Sequence, residues 1–193
     1  MMMDGRWHLP TSIELSGTEY AIRTDYRAIL DIFKAINDEE LAEQEKAEVM
    51  LKILYIDWQE IPARDQQKAL EKGQEFIDCG ISGEKKKEPP LMDWEKDSPI
   101  IAPAINKVLG KDARLAEEIH WWTFMAAYME ISDCLFSHVV AIRQKKAKKQ
   151  KLETWEREFY QNNKKLVDPE EHDRGRSKEE ANAIRELLGF KKR

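Results

Sequence analysis

The 193-residue chain contains only two cysteines and four histidines, and it lacks a long apolar run. Cys79 and Cys134 are distant in sequence and neither belongs to a CxxC pair, which argues against a zinc site; we expect buried, reduced thiols. No stretch approaches the roughly 20 apolar residues that cross a bilayer. The segment Met1–Pro10 has no apolar core of a secretory signal. A cytosolic location is therefore expected.

Recognisable catalytic motifs are also missing from the sequence. It contains no HExxH, P-loop, GxGxxG or GxSxG pattern. Glu117 and His120 form one Glu-x-x-His motif, which supplies at most half of a di-metal carboxylate site, because such sites take one motif from each of two helices. His8, His138 and His172 are expected to be structural or merely exposed. We therefore expect no metal, no cofactor and no enzymatic activity.

Charged residues are abundant, at 36% of the chain against a usual share of about 25%. Acidic and basic groups nearly cancel to a net charge of −5, so overall charge does not predict binding to nucleic acid. Leu, Ile, Val and Phe together number 43 of the 193 residues. This share is only slightly above the about 20% below which highly charged chains tend to be disordered. The sequence therefore predicts a thin hydrophobic core.

The predicted fold is mainly α, with one N-terminal β-hairpin, a helical bundle, a long penultimate helix and a short C-terminal helix. The segment 12–22 alternates apolar and polar residues on both sides of Ser16-Gly17, which is typical of a hairpin. Its predicted apolar face carries Ile13, Leu15, Tyr20 and Ile22.

Apolar residues at helical spacing predict the helices that follow the hairpin. The predicted helices run between Asp25 and Asn37, from 41 or 45 to 55, around 69–77, over 98–109 and over 112–130. The last of these is predicted to be the central buried helix, with a stripe of Leu115, Ile119, Trp122, Met125, Ala126 and Met129. Residues 80–90 hold two glycines, two prolines and a lysine run, which predict a mobile loop. This loop either separates two helical subdomains or is spanned by a single core.

The long penultimate helix is predicted to begin at Ser132 or Asp133 and to continue through a lysine run. Residues 143–165 include nine basic and three acidic side chains, a local charge of +6 in an acidic protein. Three interpretations remain open: a solvated helix face, a docking strip for a protein, or a phosphate-binding strip with Trp155 stacked on bases. The candidate partner-binding residues here are Lys145, Lys146, Lys148, Lys149, Lys151, Trp155 and Phe159.

Two further candidate partner-binding elements are a tryptophan pair and the C-terminal segment. Trp121 and Trp122 lie about 100° apart on a helix, so only one can point straight into a thin core. We predict that, with His120, they form a packing and interface element. Beyond a polar linker over 168–176, a capping box at Ser177 predicts a short helix, which is marginal alone and must dock on its own body or on a partner. Its apolar face carries Ile184, Leu187 and Leu188.

Several strings in the chain occur in a characteristic order. They are Leu9-Pro10 ahead of the hairpin, Tyr20-x-Ile22-x-Thr24-Asp25-Tyr26-Arg27, Met92-Asp93-Trp94-Glu95-Lys96-Asp97 with Ile100-Ile101, Ile119-His120-Trp121-Trp122-x-Phe124, and Ile142-Arg143. In these strings the chain resembles the Gp15 family of proteins from tailed bacteriophages and prophages of Gram-positive bacteria. The resemblance covers about residues 9–166. Residues 102–106 depart from the family pattern, and the tail from Asp168 has no counterpart.

The resemblance implies a small, mostly helical accessory protein encoded in the tail module, which acts as a tail assembly chaperone. Such a chaperone would shield the long helical tape measure protein until tail tube subunits polymerise around it. The implied partners are the tape measure protein and the tail tube protein, with self-association as a further expectation, in the cytoplasm of the host bacterium.

Two alternatives remain open: a nucleic-acid-binding or DNA-packaging accessory that uses the basic patch 143–165, and a minor structural virion component. The predicted organisation is one mainly helical domain over 1–167, the linker 168–176, and the short helix with a basic tail over 177–193.

Overall fold

The computed structural model describes residues 8–81 and 91–168. Most of the loop predicted over 80–90 lies outside the described residues, as do nearly all of the linker 168–176 and the predicted C-terminal helix with Ile184, Leu187 and Leu188. The described residues are mostly helical and begin with a two-stranded antiparallel hairpin, which confirms the predicted fold class.

The secondary structure follows the predicted order. The strands are β1 (Ser12–Leu15) and β2 (Thr18–Ala21), and the first helices are α1 (Tyr26–Ile36), α2 (Glu43–Leu54) and α3 (Gln66–Ile77). The later helices are α4 (Ser98–Leu109), α5 (Trp121–Met129), α6 (Leu135–Ala147), α7 (Thr154–Asn162) and α8 (Lys164–Val167). Short 3-10 turns occur at Trp58–Glu60, Ala63–Asp65 and Ala113–Leu115.

The hairpin has the predicted face and turn. Ile13 lies opposite Tyr20 across the strands, and both Ile13 and Leu15 are buried. Ser16 and Gly17 have φ values of 52° and 86°, so both central residues of the turn are left-handed. A two-residue turn of this kind matches the right-handed twist of the flanking strands.

Contacts divide the described residues into two compact units. The first unit contains residues 8–81 and the short segment Glu118–Trp122, and the second contains residues 91–117 and 123–168. The first unit therefore includes a piece of chain that is remote from it in sequence. We call Glu118–Trp122 the insertion segment.

The first unit is built by α1 on α2, α2 on α3, and α3 on β1. Asp25 caps α1 because its carboxylate accepts the Arg27 N–H at 3.0 Å. Gly73 lets α3 approach α2 closely, since a Cβ atom there would lie 2.8 Å from the end of the Leu54 side chain. The Tyr55 hydroxyl donates to the Ala69 carbonyl at 2.8 Å, and burial raises the pKa of that hydroxyl.

The second unit is built around α6, which packs on α4 and on α8, while α7 also contacts α8. Val139 and Ile142 of α6 and Ile105 of α4 are fully buried. The helix α4 begins and ends at the predicted residues. Among the buried polar side chains of this unit is Asp97, which is 3% exposed and is neutralised by Arg143.

The predicted central helix over 112–130 is wrong in its first half. Asp112 accepts the Arg114 N–H at 3.0 Å but begins only a 3-10 turn, and residues 116–120 are not helical. These residues leave the helical path because Asp25 and His120 form an antiparallel bridge. Backbone pairing of His120 with Asp25 therefore takes the place of the intrahelical hydrogen bonds that the apolar spacing predicted.

The predicted apolar stripe on that helix is also displaced. Leu115 is 85% exposed and Met129 is 54% exposed, so neither lies in a core. The buried residues of α5 are Trp121, Phe124 and Ala127, none of which belongs to the predicted stripe. Of that stripe, Ile119 is buried as predicted.

The predicted long penultimate helix is two helices, α6 and α7, because the lysine run ends the first of them. Lys149 has a φ of 54°, and the Gln150 N–H donates to the Lys145 carbonyl at 2.8 Å. This is the pattern of a helix that closes through one left-handed residue. Basic side chains at this end also face the negative end of the helix dipole.

The two cysteines are half-buried, which corrects the prediction of buried thiols. Both are free, and burial together with the neighbouring Asp78 carboxylate raises the pKa of Cys79 to about 11. This thiol is therefore protonated, and weakly reactive, at neutral pH.

Candidate partner-binding surfaces

The two adjacent tryptophans of the insertion segment bind the end of α3. Trp121 is 1% exposed, and its indole N–H donates to the Ile77 carbonyl at 2.9 Å. Trp122 is half-buried, and its indole N–H donates to the Phe76 carbonyl at 2.9 Å. Carbonyls in the last turn of a helix lack intrahelical donors, and the Trp121 indole satisfies that of Ile77. The Phe76 carbonyl accepts both the Trp122 indole and the Cys79 N–H. Trp121 is placed in the interior, where it offers no surface to a partner.

Backbone and polar contacts hold the insertion segment in the first unit. The Trp121 N–H donates to the Thr24 carbonyl at 2.6 Å, and the Tyr26 N–H donates to the Ile119 carbonyl at 2.9 Å. The other carboxylate oxygen of Asp25 accepts the Ile119 N–H at 2.9 Å. Asp25 therefore has two structural tasks: it caps α1 and it fixes the insertion segment beside it.

His120 is occupied on both ring nitrogens. Its Nδ1 accepts the Trp122 N–H at 3.1 Å, and its Nε2 lies 3.0 Å from the Pro10 carbonyl oxygen. Since the carbonyl can only accept, Nε2 carries the hydrogen and the imidazole is neutral in this arrangement. The Glu-x-x-His motif that the sequence presents thus leaves no ring nitrogen open for a metal.

An open groove of about 450 Å³ lies beside Trp122 in the first unit. The groove combines apolar side chains with carboxylates and ammonium groups, of which Lys72 and Glu75 form an ion pair at 2.6 Å. Its lining residues are Pro10, Ile13, Glu14, Lys68, Lys72, Glu75, Phe76 and Trp122. This arrangement can receive an apolar side chain.

The lysine run divides into bound and exposed members. The Lys145 ammonium pairs with the buried Glu156 carboxylate at 2.7 Å, and its hydrogen bond lowers the pKa of Glu156. The Lys146 ammonium pairs with Asp168 at 2.6 Å and lies 4.1 Å from the centre of the Tyr160 ring. Burial opposes the charge on Lys146, but these hydrogen bonds raise its pKa overall. Lys148, Lys149 and Lys151 are exposed.

Trp155 and Phe159 come together on one face of α7, as their spacing predicts. Trp155 is 50% exposed, and its ring meets the His138 ring edge-on at a centroid distance of 5.3 Å. Phe159 meets the same imidazole at 6.1 Å, and Leu135, one turn earlier on α6, is 46% exposed. We call this region, with the three exposed lysines, the Trp155 surface: Leu135, His138, Lys148, Lys149, Lys151, Trp155 and Phe159.

Sequence reasoning missed two members of the Trp155 surface and one structural residue. Leu135 and His138 share a face at i, i+3 spacing, but the sequence does not show that the aromatic rings of α7 pack on His138. Arg143 donates to both Asp97 oxygens, at 2.6 Å and 2.9 Å, and to the carbonyls of Leu91, Leu166 and Val167. The sequence offered one signal for the Arg143–Asp97 pair: the Met92–Asp97 string and the Ile142-Arg143 string both occur in the chain.

Within 8–81 and 91–168, no three His, Cys, Asp or Glu side chains are grouped so that they could hold a metal ion. None of the helices in these ranges is both long and apolar enough to span a membrane.

The structure defines a small, mostly helical protein with an N-terminal hairpin and an exposed aromatic and basic surface in its second unit. Residues 7–168 match the sequence model of a family described as Bacteriophage Gp15 protein. Because the match covers most of the chain, the protein belongs to this bacteriophage family. No curated protein and no solved structure matches the chain significantly.

Proposed function

We propose that the protein is a phage tail assembly chaperone that binds the tape measure protein, without catalysis, in the cytoplasm of the bacterial host. The observation that carries the proposal is the family match over residues 7–168. Membership makes the protein a phage protein, and the resemblance of its sequence strings to the Gp15 family implies the chaperone role. The tail tube protein is a second proposed partner, because it would displace the chaperone during polymerisation.

The physical character of the described surfaces supports a binding role. A chaperone must capture its client and later release it, which favours a limited apolar contact with a charged rim over a large apolar interface. The Trp155 surface has this composition, since Trp155 and Leu135 are each about half exposed beside charged side chains. The buried ion pair of Arg143 with Asp97, by contrast, serves the packing of the second unit.

A nucleic-acid-binding accessory is the second candidate, because exposed lysines lie near an exposed tryptophan. A lysine strip with an aromatic ring can bind single strands through phosphate contacts and base stacking. However, two of the five lysines in the run are paired with Glu156 and Asp168, which reduces the charge available to phosphates.

Co-expression with the tape measure protein from the same phage genome tests the proposal. The expected result is that this protein keeps the tape measure chain soluble and that the two elute together in size-exclusion chromatography with light scattering. An acidic helical protein of similar size should give neither effect. An insoluble tape measure chain with and without this protein, and no joint elution, would contradict the proposal. Sub-micromolar binding to DNA at physiological salt, with a linear log–log salt dependence, would instead favour the second candidate.

A further inference from the structure

We infer that the Trp155 surface is the docking site for an amphipathic α-helix whose apolar stripe is bordered by carboxylates. This inference rests on the proposed function, because the docked helix would belong to the tape measure protein. It specifies which part of this chain makes the contact and what chemistry the partner segment must have.

The position of α7 explains why Trp155 is directed outward. Glu156 binds Lys145, and Tyr160 binds Asp168 at 2.6 Å, so these two residues occupy the inner side of α7. Trp155 is one residue earlier and therefore about 100° around the helix. It remains 50% exposed, and no residue in the described part of the chain accepts from its indole N–H. Large, half-exposed tryptophans of this kind are frequent anchors in protein interfaces.

The apolar part of the surface extends over two helices. His138 on α6 contacts both Trp155 and Phe159 on α7, so the two helices meet at this imidazole. Leu135 extends the apolar area by one turn along α6 and is 46% exposed. A partner helix that presents residues at i, i+3 or i+4, and i+7 can place them along such a row.

The basic part of the surface lies in the connection from α6 to α7, just before Trp155 in sequence. Lys148, Lys149 and Lys151 are exposed in the connection between α6 and α7. The bond between Lys145 and Glu156 fixes the last turn of α6 to the first turn of α7, next to Trp155 in sequence. The three exposed lysines therefore lie between this fixed turn of α6 and Trp155, within seven residues of Trp155 in the chain. They are complementary to a helix that carries carboxylates beside its apolar stripe.

The neighbouring acidic groups favour a helix over a nucleic acid. The Asp133 side chain is 89% exposed and pairs with His138 at 2.6 Å. Glu153, the N-cap of α7, and Glu158 within α7 are both exposed, on either side of Trp155 in sequence. These carboxylates repel phosphates, whereas a protein helix can offer both signs of charge along one face.

Calorimetric titration of the full chain with overlapping peptides from the tape measure protein tests the inference. The first variant is Trp155→Ala, matched by Leu115→Ala, which also removes an exposed apolar side chain from the second unit. The second is the triple reversal Lys148→Glu, Lys149→Glu and Lys151→Glu, matched by Lys107→Glu with Lys111→Glu at other exposed positions. Circular dichroism and thermal melting establish that each variant is folded.

We expect Trp155→Ala to weaken binding of the best peptide by about tenfold or more. The triple reversal should weaken it as well and should remove most of its salt dependence. Both matched controls should bind as the unchanged protein does. Because the reversed lysines are exposed, the triple variant keeps the test decisive even if Trp155→Ala fails to fold.

The possible failures are distinguishable. If the unchanged protein binds a tape measure peptide and both variants bind equally well, the docking site is wrong and the chaperone proposal stands. If the unchanged protein binds neither the peptides nor the whole tape measure protein, the proposed function itself is wrong. Binding of a single-stranded oligonucleotide at physiological salt, abolished by Trp155→Ala, would assign the surface to nucleic acid and overturn the inference.

Discussion

Trp122 and Trp155 are each the second residue of a helix, of α5 and of α7, but their surroundings differ. The Trp122 indole is half-buried, stacks on Phe76 and donates to a carbonyl at the end of α3. Trp155 is half exposed and touches its own unit through the His138 edge. A tryptophan whose indole N–H is hydrogen-bonded inside the protein, as in Trp122, serves packing. This hydrogen bond, more than the exposed fraction of the ring, distinguishes it from Trp155, which remains available to a partner.

The same contrast applies to the charges around the two residues. The groove beside Trp122 is lined by both carboxylates and ammonium groups, and two of them, Lys72 and Glu75, form an ion pair. Near Trp155, Lys148, Lys149 and Lys151 are exposed while Lys145 and Lys146 are bound. Stability and binding should therefore depend on different residues, and substitutions can separate the two properties.

The largest expected effect is that of Trp121→Ala. Trp121 is 1% exposed, and its removal should leave a cavity and an unsatisfied Ile77 carbonyl, lowering the free energy of unfolding by about 3–5 kcal/mol. Urea denaturation followed by circular dichroism measures this loss. Trp122→Ala should cost less, because that ring is only half-buried. Equal losses for the two substitutions would contradict the assignment of Trp121 to the core.

Arg143→Ala should cost about 3 kcal/mol, because it leaves the Asp97 carboxylate buried without its partner. The loss is measured by urea denaturation, with the exposed Arg157→Ala as the control. A double substitution of Arg143 and Asp97 should cost less than the sum of the two single ones, since no charge is then left unpaired. Additive losses would show that the pair is not coupled.

The local parts of the fold could be predicted from sequence, and the reasons are visible in the structure. Alternation around Ser16-Gly17 identifies the hairpin, and the Asp25 cap identifies the start of α1, because both signals act within a few residues. The path of residues 116–120 could not be predicted, since it depends on Thr24 and Asp25, more than 90 residues away. Helical spacing alone cannot reveal such a distant backbone partner.

The candidate surfaces were predictable only in part. Trp155 and Phe159 were identified because their i, i+4 spacing places them on one face. The division of the lysine run was not predictable, because it depends on where α7 and α8 bring Glu156 and Asp168. The structure was also needed to show which of the two adjacent tryptophans faces the core. A shift of the buried helix face by one residue buries Trp121 in place of Trp122.

Asp25→Ala should lower the free energy of unfolding by about 1–2 kcal/mol, since it removes the cap of α1 and the acceptor for the Ile119 N–H. Thermal melting and urea denaturation measure the loss. Asp25→Asn should cost less, because its amide oxygen can keep one of the two contacts. The prediction is wrong if the alanine variant is as stable as the unchanged protein.

A smaller effect is expected from pH. The hydrogen bond from Lys145 lowers the pKa of Glu156, so its stabilising contribution is present above the ordinary glutamate pKa of about 4.3 and is lost as the pH falls through the lowered value. Glu156→Gln should therefore lose less stability than the unchanged protein when the pH falls below about 4.3. Unfolding free energies from urea denaturation at several pH values provide the measurement. Identical pH profiles would rule out this contribution.

The most direct test measures both the stability and the affinity for the tape measure protein of two variants, Trp122→Ala and Trp155→Ala. We expect Trp122→Ala to lower the melting temperature but to leave the affinity for the tape measure protein unchanged where the variant is folded. Trp155→Ala should lower the free energy of unfolding by less than Trp122→Ala does, because its side chain is 50% exposed, and should lose affinity by about tenfold or more. Affinity that follows Trp122, or that is indifferent to Trp155, would contradict the division of the molecule into a packing tryptophan and a binding one.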